Sequence, residues 1–127
     1  VVVSAGPTRE PIDPVRFLTN RSSGKMGYAV AQAAREAGAE VVLVSGPVSL
    51  PTPPGVVRVD VETARQMYEA VHAAMRGADL YVGAAAVADY EPASAAPEKI
   101  KKNAPTLTLE LVKAPDILAS VAQLEPR

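Results

Sequence analysis

The sequence contains no cysteine, which excludes disulfide scaffolds, thiolate metal sites and cysteine nucleophiles and is compatible with a reducing cytoplasm. It also lacks an excess of either charge. Its 13 lysines and arginines face 14 acidic residues, so no field favours nucleic acid or an anionic membrane surface. No apolar run approaches the ~20 residues that span a bilayer, and no basic segment followed by an apolar one opens the chain. Partners are therefore expected among small molecules and proteins, with a cytoplasmic location. At 127 residues there is room for one domain with a real core. The chain starts at Val1 on a strand-like run and stops at Arg127 just after a short helical pattern, so both ends read as cut from something longer.

What is present is an alternation of β-branched runs and amphipathic segments. Residues 1–4 form a short apolar run closed by Gly6 and Pro7, the pattern of a buried strand and its exit turn. The stretch from there to Asn20 holds Pro7, Pro11 and Pro14, cannot be helical, and reads as a long irregular loop folded over a site. Ser22 or Ser23 is placed to cap a helix with an apolar stripe of Met26, Ala29, Val30, Ala33, Ala34 and Ala37, stopped by Gly38. Strand patterns at 40–44 and 56–61 flank a stiff proline-rich loop. Thr63 and Gln66 then make a capping box for a helix burying Ala64, Met67, Val71, Ala74 and Met75.

Residues 80–87 are apolar without alternation, as in a central parallel strand covered on both faces. At 106–112, by contrast, leucines alternate with Thr and Glu, which predicts an antiparallel ribbon whose partner is the 98–102 stretch. Pro115 suits the first position of a closing helix. The expected fold is α/β: a Rossmann-like three-layer domain with a mostly parallel sheet and a late antiparallel ribbon arm.

Chemistry concentrates in Asn20-Arg21-Ser22-Ser23-Gly24-Lys25-Met26-Gly27. Two hydroxyls, a glycine and a lysine stand at the start of a helix, where free amides and the positive dipole end favour phosphate. A serine-capped helix with a solvent lysine would look the same. The segment is not a Walker A loop, because Thr19 and Met26 stand where Gly and Ser or Thr are required, and it is not the dinucleotide fingerprint.

A second candidate is Ala84-Ala85-Ala86-Val87-Ala88-Asp89-Tyr90, small residues and an acid at the end of a strand, where open α/β sheets bind ligands. Tight helix packing beside a surface Asp89 is the competing account. Third is Lys99-Ile100-Lys101-Lys102, whose lysines could serve a ligand or blunt an edge strand. Arg16 could clamp an anion, although a surface arginine is the default. His72 reads as an outward-facing residue with no nucleophile to serve, and no ligand set has metal spacing, leaving metal ligands unknown.

The segments Gly6-Pro7-Thr8-Arg9-Glu10-Pro11, Asp13-Pro14-Val15-Arg16 and Asn20 with Ser22-Ser23-Gly24-Lys25-Met26-Gly27 together resemble the opening of bacterial phosphopantothenate–cysteine ligases, also called phosphopantothenoylcysteine synthetases. The likeness continues through Val44-Ser45-Gly46-Pro47, residues 85–90, Lys99-Ile100-Lys101-Lys102 and Lys113-Ala114-Pro115-Asp116-Ile117, and so covers the chain.

The resemblance implies coenzyme A biosynthesis: CTP with Mg2+ converts 4′-phosphopantothenate to an acyl-cytidylate, and the amine of cysteine displaces CMP. It implies that residues 1–127 are a nucleotide-binding ligase domain lacking its C-terminal part, fused in the parent polypeptide to a flavin-dependent phosphopantothenoylcysteine decarboxylase domain. It also implies a homodimer, with residues 98–113 as a dimerisation and active-site ribbon. By position, Asn20 matches a catalytic asparagine and Lys99 a catalytic lysine. Gly6, Ser22, Ser23, Gly24, Lys25, Met26, Ala85, Ala86 and Asp89 match nucleotide-binding positions, and Arg16, Asn20 and Ala86 substrate-binding ones. A fragment that binds nucleoside triphosphate without turnover is the alternative expectation.

Overall fold

A computed structural model describes residues 1–100 and 104–124. In chain order the elements are β1 (Val2–Ala5), β2 (Arg9–Asp13), β3 (Arg16–Thr19), α1 (Lys25–Glu36), β4 (Val42–Ser45) and β5 (Val57–Asp60). They continue with α2 (Ala64–Ala74), β6 (Tyr81–Gly83), β7 (Tyr90–Pro92), β8 (Leu111–Lys113) and α3 (Ile117–Val121). Four parallel strands in the order β5-β4-β1-β6 form the sheet, and β2-β3 and β7-β8 are separate two-stranded antiparallel ribbons. The α/β class, the parallel sheet and the late ribbon are as expected from the sequence.

Strand alternation distributes the core over two faces. Val3, Ala5 and Leu43 pack with Tyr28 and Ala31 of α1, whereas Val2 and Val44 pack with Met67 and Val71 of α2 and Ile117 of α3. Burying a side chain of the Val, Leu or Met class contributes about 1.5–3 kcal/mol, so these two clusters hold the layers together. The predicted capping box on α2 is present, with the Gln66 amide donating to Thr63 Oγ1 at 3.1 Å and the Thr63 amide to Gln66 Oε1 at 3.2 Å.

Seven local expectations are corrected. The proline-bearing stretch is an antiparallel hairpin, β2-β3: Pro11 is exposed, the register shifts between Pro11 and Asp13, and a proline is tolerated at such an irregularity. The cap of α1 is Gly24 at φ 80°, with no side-chain cap, rather than Ser22 or Ser23. Its buried face is Gly27, Tyr28 and Ala31, while Met26 is 74% exposed. An alanine-rich helix offers little contrast between faces, and Tyr28 decides the matter by burying its ring and setting its hydroxyl 2.7 Å from Ser45 Oγ.

The strand pattern at 80–87 yields the three-residue β6 at the edge of the four-stranded sheet, not at its centre. Its faces are covered, Val82 toward one cluster and Tyr81 toward the other, and that cover is what the unbroken apolar pattern reports. The partner of β8 is residues 90–92 and not the 98–102 stretch, of which Lys101 and Lys102 lie outside the described residues. Lastly, α3 starts at Ile117 rather than Pro115, capped by Asp116, whose carboxylate accepts from the Ala119 amide at 3.0 Å. His72 is also not a solvent residue: its Nε2 lies 2.9 Å from Ser120 Oγ, which donates to Tyr68 Oη, so it ties α3 to α2.

Candidate functional site

From β1 the chain passes first to β4 on one side and later to β6 on the other, which opens a crevice outside the carboxyl ends of these strands. Backbone pairing carries on past the strand ends into this crevice. The Ala86 amide donates to Gly6 O at 2.9 Å, the Thr8 amide to Ala86 O at 3.3 Å, and the Gly46 amide to Ala5 O at 2.9 Å. Gly6, Gly46 and Ala86, which end three different strands, are thereby laced together.

Asn20 lies across this junction, its Nδ2 donating to Ala86 O at 3.3 Å. A cleft of about 500 Å³ opens there, lined by Leu18, Thr19, Asn20 and residues 85–90. Two residues named separately from the sequence, Asn20 and Ala86, thus share one carbonyl oxygen. Asp89 is exposed at the rim of the same cleft, and its backbone oxygen accepts from the Ala114 amide at 2.9 Å.

A second cleft, about 380 Å³, is lined by Ser22, Ser23, Lys25 and the loop Pro47, Val48, Ser49 and Leu50. Here the Gly24 amide donates to Ser22 Oγ and the Lys25 amide to Ser23 Oγ, each at 3.3 Å. Both serines serve the turn before the helix. Among the described residues no side chain accepts from the amides of Met26 or Gly27 at the open end of α1, an arrangement suited to phosphate oxygens.

Arg16 and Lys99 are brought near one another by the hairpin. Arg16 Nη2 donates to Ile100 O at 3.0 Å, and its Nη1 lies 3.6 Å from Asp13 Oδ2. Lys99 itself is exposed. Among the described residues no cluster of three or more His, Asp or Glu side chains is close enough to hold a metal ion.

The sequence reading passed over two buried groups beside the site, Thr8 and Glu10, both about 1% exposed or less. Thr8 Oγ1 accepts from the Ala88 amide at 3.0 Å and hydrogen-bonds Glu10, whose carboxylate also accepts from the Ala64 amide at 3.1 Å. The link runs from the start of α2 through the hairpin to the floor of the crevice. A charged residue between two prolines gave no sign of burial; only the fixed spacing of Thr8 and Glu10 within the opening motif could have pointed to it.

Burial pushes the Glu10 carboxyl above its usual value, opposed by its hydrogen bonds to Thr8 and the Ala64 amide. Because its folded pKa is raised, the stability it contributes is complete below about pH 4.5 and is lost as pH rises through the folded value. Glu10→Gln should therefore lose less stability between pH 4.5 and 7 than the unaltered protein, measured as urea midpoints. Parallel profiles would show that Glu10 carries no such burden.

Residues 1–127 match the family described as DNA/pantothenate metabolism flavoprotein C-terminal domain. The chain belongs to this family. It is 59% identical to the coenzyme A biosynthesis bifunctional protein CoaBC of Escherichia coli (strain K12), over 98% of the chain and 32% of that protein. With the protein of the same name from Bacillus subtilis (strain 168) the identity is 49%, over 97% of the chain and 30% of the relative. The chain therefore spans about a third of the length of these curated relatives, which are enzymes of coenzyme A biosynthesis. Among solved structures, the C-terminal domain of CoaBC superposes with a TM-score of 0.83 at 46% identity, covering 98% of this chain and 58% of that one.

Proposed function

We propose that this family member is the ligase part of its parent polypeptide. In this reading the carboxylate of 4′-phosphopantothenate attacks the α-phosphorus of CTP, pyrophosphate leaves, and the amine of cysteine then attacks the acyl carbon and expels CMP. The observation that carries the reading is the meeting of Asn20 with Ala86 O at the strand ends, beside the open amides of α1. A carboxamide donates to developing negative charge without adding any of its own, which suits a centre crowded with carboxylate and phosphate oxygens.

The triphosphate lies against the start of α1, between Ser22, Ser23, Gly24, Lys25 and Met26 and the loop after β4. The acyl-phosphate end meets the backbone of Gly6, Ala85 and Ala86, and Asp89 meets the nucleotide at the rim. Lys99 neutralises charge at the α-phosphoryl group, and Arg16, while held on Ile100 O, offers its remaining N–H groups to the phosphate of pantothenate. Mg2+ fits this donor set as an ion carried in by the nucleotide, since phosphate oxygens can supply most of its ligands and Asp89 is an exposed carboxylate at the cleft. In the cytoplasm the domain works beside a flavin-dependent decarboxylase part of the same polypeptide.

The reaction is tested by giving the parent polypeptide labelled CTP, Mg2+ and 4′-phosphopantothenate. Acyl-cytidylate should accumulate without cysteine and be converted to CMP and phosphopantothenoylcysteine when cysteine is added. No acyl-cytidylate under either condition rejects the reading.

A homodimer through residues 98–113 belongs to the same proposal. Leu107, Leu109 and Leu111 are 59%, 37% and 42% exposed, an apolar row that a second copy would cover. Sedimentation at micromolar concentration should give a dimer, the state expected of a standard-sized interface; a strict monomer counts against it.

A further inference from the structure

Asp13 ends β2 with its side chain buried. One carboxylate oxygen, Oδ1, accepts from the amides of Val15 and Arg16 at 3.0 and 2.9 Å and so closes the hairpin turn. Such local bonding is common for an aspartate in a turn. The other oxygen is not explained by the turn. Oδ2 accepts at 2.9 Å from the amide of Ile100, 87 residues away.

The other backbone group of Ile100 is held from the same hairpin, since Arg16 Nη2 donates to its carbonyl, and the Ala96 amide donates to Ile12 O at 2.8 Å. Residues 93–100 form no helix or strand, and beyond Ala93, whose amide donates to Glu110 O at 2.9 Å, ladder hydrogen bonds do not order them. The hairpin does so instead, and Lys99 is the residue directly before the clamped Ile100.

We infer that Asp13 is a positioning residue that acts through the Ile100 amide to hold Lys99 where it meets the reacting phosphoryl group. The role given to Lys99 rests on the ligase reading; the clamp rests on the hydrogen bonds. The Ile100 amide is also the leading reason that the Asp13 carboxyl lies below the usual range, so the charged form is the one that clamps. Arg16, engaged with Ile100 O, completes the grip from the other side of the peptide.

Asp13→Asn separates the clamp from the turn. A carboxamide can keep its oxygen on the Val15 and Arg16 amides, but it then turns an NH2 group toward the Ile100 N–H, and two donors repel. In the parent polypeptide, amide exchange at Ile100 should quicken ~tenfold or more, as expected on losing a bond to a charged acceptor, with exchange in β2-β3 unchanged. Acyl-cytidylate formation should slow by ~10- to 100-fold, the scale of a misplaced catalytic group, with CTP affinity retained. In a Lys99→Ala background the same Asp13→Asn change should alter that rate by less than about twofold, because the group it positions is gone.

Ile100→Pro removes the amide donor while leaving the hairpin sequence intact, which keeps the test open if Asp13→Asn disturbs the turn; because a proline also restricts the backbone of Lys99 before it, its loss of rate should match or exceed that of Asp13→Asn. Unchanged exchange at Ile100 with normal turnover sinks the clamp alone. Full additivity of Asp13→Asn with Lys99→Ala shows that Asp13 acts elsewhere. An unaltered polypeptide that forms no acyl-cytidylate sinks the ligase reading and the role of Lys99 with it.

Discussion

Lys99→Ala should slow acyl-cytidylate formation by about 10²–10³-fold, the usual cost of removing one preorganised electrostatic group, while Asn20→Asp should instead let the intermediate build up. The two substitutions separate because charge develops at different atoms in the two steps. In activation it grows on the α-phosphoryl oxygens and the departing pyrophosphate, where an exposed lysine cation is the suitable partner. In aminolysis the attacked carbonyl becomes an oxyanion beside a phosphate already carrying charge, and a neutral donor anchored as Asn20 is, on Ala86 O, is the better one. A carboxylate at position 20 would face that oxyanion directly. Rapid quench with labelled CTP counts the intermediate. Accumulation with cysteine present in Asn20→Asp and none in Lys99→Ala is the expected pair of outcomes, and stalling of both variants at one step removes the division of labour.

The largest expected effect on stability belongs to Gly46→Ala. A Cβ on Gly46 would stand 1.7 Å from the carbonyl oxygen of Pro7 and 2.8 Å from its carbonyl carbon. These are backbone atoms of the β1 exit, which the Thr8 amide, the Ala86 amide and the Pro7–Ala86 bridge hold in place. No rotamer change relieves such a contact; the exits of β1 and β4 would have to part. The cost should reach or pass about 4 kcal/mol, in the range reserved for severe core overpacking. For a domain of this size that lowers the melting temperature by on the order of 15 °C. Gly38→Ala is the control: Gly38 has a positive φ, 98°, which Gly46 lacks, but nothing lies within 4 Å of an added Cβ. Its cost should be only about 1–2 kcal/mol. Thermal unfolding followed by circular dichroism compares the two, and equal losses would falsify the steric account.

Much of the candidate site was legible because its residues lie close together in the chain. The run from Asn20 to Gly27 places hydroxyls, glycine and lysine at a helix start whatever the rest of the protein does, and residues 84–90 announce a strand end by their small side chains. The capping box of Thr63 and Gln66 and the stop at Gly38 were legible for the same reason, since each is decided by backbone groups within four residues. The hairpin was not. Its two prolines, with Pro7 just before it, argue against regular structure one residue at a time, and it is the cross-strand pairing of residues 9–13 with 16–19, backed by Thr19 Oγ1 donating to Thr8 O, that makes them strands. The face of α1 was misread because alanines mark no side, and the partner of β8 because any extended segment nearby would fit an alternating pattern equally well.

The sequence by itself determined the α/β class, the order of helices and parallel strands, and the likeness to coenzyme A biosynthesis proteins, and it marked the two stretches proposed to carry the chemistry. These follow from periodicity, caps and motif spacing, all of which act over a few residues. Only the tertiary structure decided that Asn20 meets Ala86 O, that Glu10 is buried against the start of α2, that His72 ties two helices together and that Asp13 reaches Ile100. Each of these joins residues separated by 48 to 87 positions. Whether such a hydrogen bond forms depends on how the layers stack around the core, since that stacking sets which polar groups lose water and must find one another, and a pattern read along the chain holds no record of it.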